Sequence, residues 1–133
     1  MLPDRLELAD AYLEGDDTAR WRSASGHGPS GGAQASGSSV LQVEPGCRLP
    51  RHTDSAEEVI VVLAGAAEVR VGDERAQVPA GGMALVPADV PHEVANAGER
   101  TLRFAAVYAS TDVVTRYERP VQPDGERERR PVS

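Results

Sequence analysis

Between residues 40 and 108 no hydrophobic period lasts long enough to build a helix. Short β-like runs recur instead, at residues 40–43, 58–63, 67–71, 75–78, 83–86, 92–96 and 102–108. Turn residues separate them: Pro45-Gly46, Gly65, Gly72-Asp73, Ala80-Gly81-Gly82, the stretch from Pro87 to Pro91, and Gly98. Short strands spaced this closely specify an all-β sandwich or barrel. Gly72-Asp73 between two alternating runs marks a tight hairpin.

The flanking segments differ in texture. Residues 3–14 read as a short helix, with Leu2, Leu6, Ala9 and Leu13 on one stripe, Pro3 at a first helical position and Gly15 as the stop. Residues 1–22 are therefore expected to be a helical extension. Residues 23–39 are rich in Gly and Ser and are expected to be a flexible loop, either a linker or a flap beside a pocket. A barrel domain follows over residues 40–119. Residues 120–133 are polar and arginine-rich, and a disordered tail is expected there.

Charge narrows the partners. The net charge of −7 argues against nucleic acid or an anionic membrane surface. A single cysteine, Cys47, excludes an internal disulfide and a cysteine-based zinc site. No apolar run is long enough to span a bilayer, and Met1-Leu2-Pro3-Asp4 has no basic and apolar leader pattern, so a cytoplasmic protein is expected.

Chemistry concentrates around two of the three histidines. His52 and Asp54 are two apart, so on an extended chain they point to one side, and Glu58 opens a valine-rich strand. His92 follows Pro87-Ala-Asp89-Val-Pro. His27 lies in the Gly/Ser-rich zone, where it is either solvent-exposed or an acid or base swinging over a pocket mouth. Cys47 reads as a small hydrophobe rather than a nucleophile. Asp89 and Asn96 read as turn-formers.

These two segments resemble the paired motifs of the cupin superfamily. Gly46, His52, Glu58 and Gly65 match the first family pattern; Gly81, Pro87, His92 and Asn96 match the second. Asp54 stands where the family usually has a second histidine, and Asp89 where it usually has a glycine. The resemblance implies an all-β, cupin-type jelly-roll barrel holding a divalent metal through His52, Glu58, His92 and the residue at 54. Asp54 either ligates directly or acts one shell out, orienting His52 or a bound water. Two imidazoles with carboxylates suit Fe(II) first, then Mn(II), with Ni(II), Co(II) or Zn(II) possible.

The function implied is that of a metal-dependent enzyme, of Fe(II)/Mn(II) dioxygenase type, acting on a small organic substrate. Glu58, Asp54 or Glu57 would then handle protons, and Glu57 is also the fallback ligand for Glu58. A non-redox isomerase, lyase or cyclase, and a binding or sensor module, are the competing readings. From alternation, Leu41 or Val43, Ile60, Val62, Leu85, Phe104, Ala106 and Tyr108 are expected to line the cavity. Arg103 or Arg70 would face an anionic substrate if turned inward. Val59, Val61 and Leu63 make the second face of their strand apolar too, which calls for cover by the N-terminal helix or by a second subunit in a homodimer.

Overall fold

A computed structural model of the chain describes residues 6–133. Among these residues twelve strands form two antiparallel six-stranded sheets. One sheet runs in the order β1 (Ala9–Leu13), β2 (Asp16–Ser25), β3 (Gly37–Val43), β10 (Leu102–Tyr108), β5 (Glu58–Ala64), β8 (Met83–Val86). The other runs β12 (Glu126–Arg129), β11 (Thr115–Val121), β4 (Arg48–Asp54), β9 (His92–Asn96), β6 (Ala66–Val71), β7 (Glu74–Pro79). Chain segments cross repeatedly from one sheet to the other, the jelly-roll pattern in which two sheets face each other across one core.

Alternation decides which side chains enter that core. On β10, Leu102, Phe104, Ala106 and Tyr108 are buried while Arg103 and Val107 are exposed. On β5, Glu58, Ile60 and Val62 are buried in the same way. With one phenylalanine available, the interior is filled by β-branched and small side chains: Val43, Ile60, Val62, Val69, Val86, Val94 and Val113 share the core with Phe104. Gly46, Gly65 and Gly81 turn the chain in the left-handed region, at φ 80, 79 and 89.

Three expectations for the flanks are corrected. The first part of the helix expected over residues 3–14 lies outside the described residues, and Ala9–Leu13 is a strand. Ala11 and Leu13 alternate inward while Tyr12 faces out beneath the Arg20 guanidinium, so a period of two prevails over the helical stripe. The hairpin partner β2 supplies hydrogen bonds that a short isolated helix would lack.

The loop expected over residues 23–39 is narrower: β2 runs to Ser25 and β3 starts at Gly37, leaving residues 26–36 as the loop, with a single 3-10 turn at Pro29–Gly31. The polar tail is also ordered. β12 pairs with β11, and Val132 is buried. Alternating Glu and Arg look like a solvated run in the sequence, yet Arg116–Glu128 and Arg129–Asp124 pair across and beside this ribbon.

Candidate metal centre

The row of residues that crosses the second sheet at Tyr117, His52, His92 and Val71 places the two imidazoles directly opposite each other on β4 and β9. Their ring centroids lie 4.1 Å apart. The next row on the same face carries Arg129, Thr115 and Asp54 on β12, β11 and β4. A register shift on β4 between Leu49 and His52 brings His52 into line with His92. The first sheet faces this array with Glu58 from β5 and Tyr108 from β10.

Each imidazole is held by its own strand. Nδ1 of His52 lies 2.7 Å from the Pro50 carbonyl, and Nδ1 of His92 lies 2.9 Å from the Val90 carbonyl. A carbonyl can only accept, so both Nδ1 atoms donate and both Nε2 atoms are turned toward the cluster. There, His92 Nε2 is 3.0 Å from Asp54 Oδ2 and 3.0 Å from Glu58 Oε1, and His52 Nε2 is 3.6 Å from Asp54 Oδ2. Donor atoms of His52, Asp54 and His92 all fall within 4.8 Å of one another. Ligand bonds of about 2.1 Å imply donor separations of roughly 3.0–3.4 Å around one ion, close to what these side chains already have.

The chemistry of the donor set fits a cation as well as its spacing does. Asp54 Oδ1 accepts a hydrogen bond from Thr115 Oγ1, while Asp54 Oδ2 is buried with no hydrogen-bond partner of its own. A buried carboxylate oxygen without a hydrogen bond is costly unless something positive meets it. His92 Nε2 stands close by, but it is aligned on Glu58. A divalent ion held by His52 Nε2, His92 Nε2 and Asp54 Oδ2 would satisfy all three lone pairs.

Electrostatics without an ion show how tightly the groups are coupled. Burial, then neighbouring His92, pushes His52 down to about 4 against the pull of Asp54. Burial would lower His92 too, but the carboxylates of Asp54 and Glu58, each 3.0 Å from its Nε2, outweigh it and raise His92 to about 10. Burial raises Glu58 to about 7. Burial also works to raise Asp54, but the two histidines and Thr115 outweigh it and hold Asp54 at about 2.

Of the residues singled out in the sequence, His52, Asp54 and His92 come together and Glu58 stands against His92. Glu57 does not join them. It is exposed just before β5 begins, so neither its fallback ligand role nor its proton-handling role has a place in the cluster. His27 is exposed too, its backbone N–H donating to Ser38 Oγ. Asn96 is a turn-former, bonding the carbonyls of Val43 and Arg100 through Nδ2 and the Gly98 N–H through Oδ1. Asp89 adopts φ 62, the conformation for which glycine is favoured, and its N–H donates to the Asp54 carbonyl.

A cavity of about 190 Å³ opens beside the cluster. Trp21, Leu41, His52, Tyr108 and Tyr117 contribute to its wall, with Trp21 stacked on Tyr117 at 5.4 Å. Leu85, expected to line it, points outward and is 59% exposed. Arg103 and Arg70 are exposed on the outer faces. The cations that do line the cavity, Arg129 and Arg130, come from the segment expected to be disordered.

A family model described as the cupin domain matches residues 39–108, more than half of the chain. The chain is a cupin. Solved structures agree on the fold. An oxalate decarboxylase–formate complex from Lactobacillus farciminis superposes with a TM-score of 0.67 at 20% identity, over 78% of this chain and 31% of that one. The conserved protein SPY1581 of unknown function from Streptococcus pyogenes gives 0.57 at 20% identity, over 71% and 77%. TT1209 from Thermus thermophilus gives 0.55 at 28% identity, over 59% and 75%. This cupin thus spans less than a third of the oxalate decarboxylase it resembles. No curated protein sequence matches it. Among the described residues no helix is long and apolar enough to cross a membrane.

Proposed function

We propose that this cupin is a metal-dependent enzyme for a small organic substrate, with His52, His92 and Asp54 as a 2-His-1-carboxylate face. One observation carries the reading. Two imidazoles locked through Nδ1 present Nε2 to a buried carboxylate oxygen that has no hydrogen bond of its own, beside a cavity. Such a face suits Fe(II), or Mn(II), with positions left open, which is the arrangement of non-haem oxygenases. The ion, when bound, supplies Lewis acidity and a template for oxygen and substrate atoms.

The protein's own groups do the remaining work. Thr115 orients the Asp54 carboxylate, and the Pro50 and Val90 carbonyls orient the imidazoles. Trp21, Tyr117 and Tyr108 exclude water from the inner wall. At about 30 Å³ per water, the cavity holds roughly six waters' worth of ligand, below the size of a drug-like molecule. Glu58, raised to about 7 and beside the cluster, can take or give a proton near neutral pH. That property favours a second reading, a non-redox isomerase or lyase using the same face.

Elemental analysis of protein purified without added metal, beside His92→Ala, tests the site. Near-stoichiometric metal in the wild type and its loss from the variant is the expected result; full retention by His92→Ala overturns it. Oxygen-electrode traces with small diketones and catechols then separate the readings. Oxygen consumption supports the oxygenase, and turnover without oxygen supports the isomerase or lyase.

We also propose a homodimer formed through the outer face of β10, β5 and β8. Val59, Val61, Leu63, Met83, Leu85, Ala105 and Val107 make that face, with Val59 paired beside Leu85 and Val107, and Val61 beside Met83 and Ala105. Leu63, Met83 and Leu85 are each more than half exposed. Described N-terminal residues pack at β2, on the far edge of that sheet, so they do not supply the cover. The centre of the face is uncharged on a chain of net charge −7, so it is where two copies can meet without repulsion.

A further inference from the structure

The cavity wall has one feature that the metal face does not explain. Arg129 sits in the same cross-strand row as Thr115 and Asp54, on the inward side of the sheet, with its side chain only 28% exposed. Its neighbours are engaged elsewhere: Glu128 pairs outward with Arg116, and Arg130, though it reaches the cavity lining, is 60% exposed and pairs with Asp112. Arg129 is therefore the half-buried cation of the wall. Its one carboxylate contact among the described residues is Asp124 Oδ1, 3.3 Å from Nη1 and itself 52% exposed. A guanidinium has five N–H donors, so most of its capacity is left for the cavity.

The segment that carries Arg129 is anchored in place. Val132 is buried, against Gly37, where an added Cβ would come within 2.8 Å of the Val132 side chain. The Ser133 N–H donates to Ser25 Oγ at 3.1 Å, and its backbone lies against Gly28, too close for any side chain there. Two glycines, one in the loop between β2 and β3 and one opening β3, thus make room for the last residues, which hold Arg129 and Pro131 against the cavity.

We propose that Arg129 is the anion-binding, specificity-determining residue of this site, and that the substrate is a small carboxylate gripped by its guanidinium at one end while its other end faces His52, Asp54 and His92. The proposal rests on the metal-dependent reading above and names its substrate class. A planar guanidinium matches a carboxylate through two parallel N–H···O bonds. Charge agrees: a divalent ion against Asp54 leaves the cluster positive or, with Glu58 ionised, neutral, and Arg129 then tips the cavity toward an anion.

Calorimetric titration of manganese-loaded protein with malonate and succinate, and with their half-amides malonamate and succinamate, tests it. The half-amides keep one end for the ion and replace the other carboxylate with a neutral group. Wild type should prefer a dicarboxylate over its half-amide by about ten- to a hundredfold, the range of one charge-assisted pair. Arg129→Gln should erase that preference, Arg129→Lys should keep part of it, and Asp124→Asn should keep all of it. Equal preference in wild type and Arg129→Gln at equal metal content overturns the proposal while leaving the metal reading intact. So does an Asp124→Asn variant that fails as badly as Arg129→Gln, since that marks a role in holding the β11–β12 ribbon. Tighter binding of inorganic phosphate than of any carboxylate overturns the substrate class. If the wild type takes up no metal, the metal reading fails, and the same comparison on metal-free protein still decides Arg129 through binding of succinate against succinamate.

Discussion

His92 is the residue on which proton traffic at the site turns. Raised to about 10 by Asp54 and Glu58, it is protonated at pH 8 in the metal-free protein, with Nε2–H on Glu58. An ion can bind Nε2 only after that proton leaves. Loading at pH 8 should therefore release about one proton per ion, read by calorimetry in buffers of different ionisation enthalpy; release of none would contradict the raised His92. Thr115 acts through Asp54. Thr115→Val removes the donor to Asp54 Oδ1 and should weaken metal affinity by about tenfold or more without unfolding the protein, measured by competition with a chromophoric chelator. Asp89 stands in the left-handed region, so Asp89→Gly should stabilise by up to about 1 kcal/mol and Asp89→Val should destabilise, by thermal melting.

At the scale of elements, β12 and the residues after it are the test of how far the reading of the sequence reached. The barrel strands and their turns could be read from it, because glycine and proline punctuation and period-two alternation are local signals, while His52, Asp54, Glu58 and His92 were legible through their resemblance to the paired motifs. Asp54 was identifiable as a neighbour of His52, but its choice between ligand and orienting group depended on where Thr115 lay, sixty-one residues away. Glu57 and Glu58 are adjacent acids that only a fixed strand parity separates. The N-terminal strand is missed because Leu6, Ala9 and Leu13 fall on a helical stripe, whereas the set that goes inward is Ala11 and Leu13, an alternation only two residues long. Arg129 carried no local signal at all: an arginine among Glu and Arg looks solvated until its strand is paired. Burial of Val132 is the packing counterpart. Val132→Ser should cost roughly 1–3 kcal/mol and loosen the segment, seen as faster amide exchange over residues 126–133.

For the molecule as a whole, pH and association are the informative variables. In the metal-free protein, His92 contributes stability that is complete below its ordinary value of 6.5 and is lost as pH rises through about 10. Glu58, raised to about 7, loses stability as pH climbs from 4.5, whereas His52, lowered to about 4, gains it up to 6.5, so these two offset each other in acid. Melting temperature should thus fall steadily from about pH 7 to pH 10 without metal, and stay flatter with metal; a rising trend would contradict the coupling. Sedimentation should report a dimer for the wild type and a monomer for Leu85→Asp, with metal content unchanged in both. The irregular step on β4 between Leu49 and His52 has a hereditary side. The extra residue taken up there is what lets Leu49 and His52 both face inward, so losing one codon within the step would leave that parity intact, whereas losing or gaining one between His52 and Asp54 would turn one of the two out of the cluster and extinguish the centre.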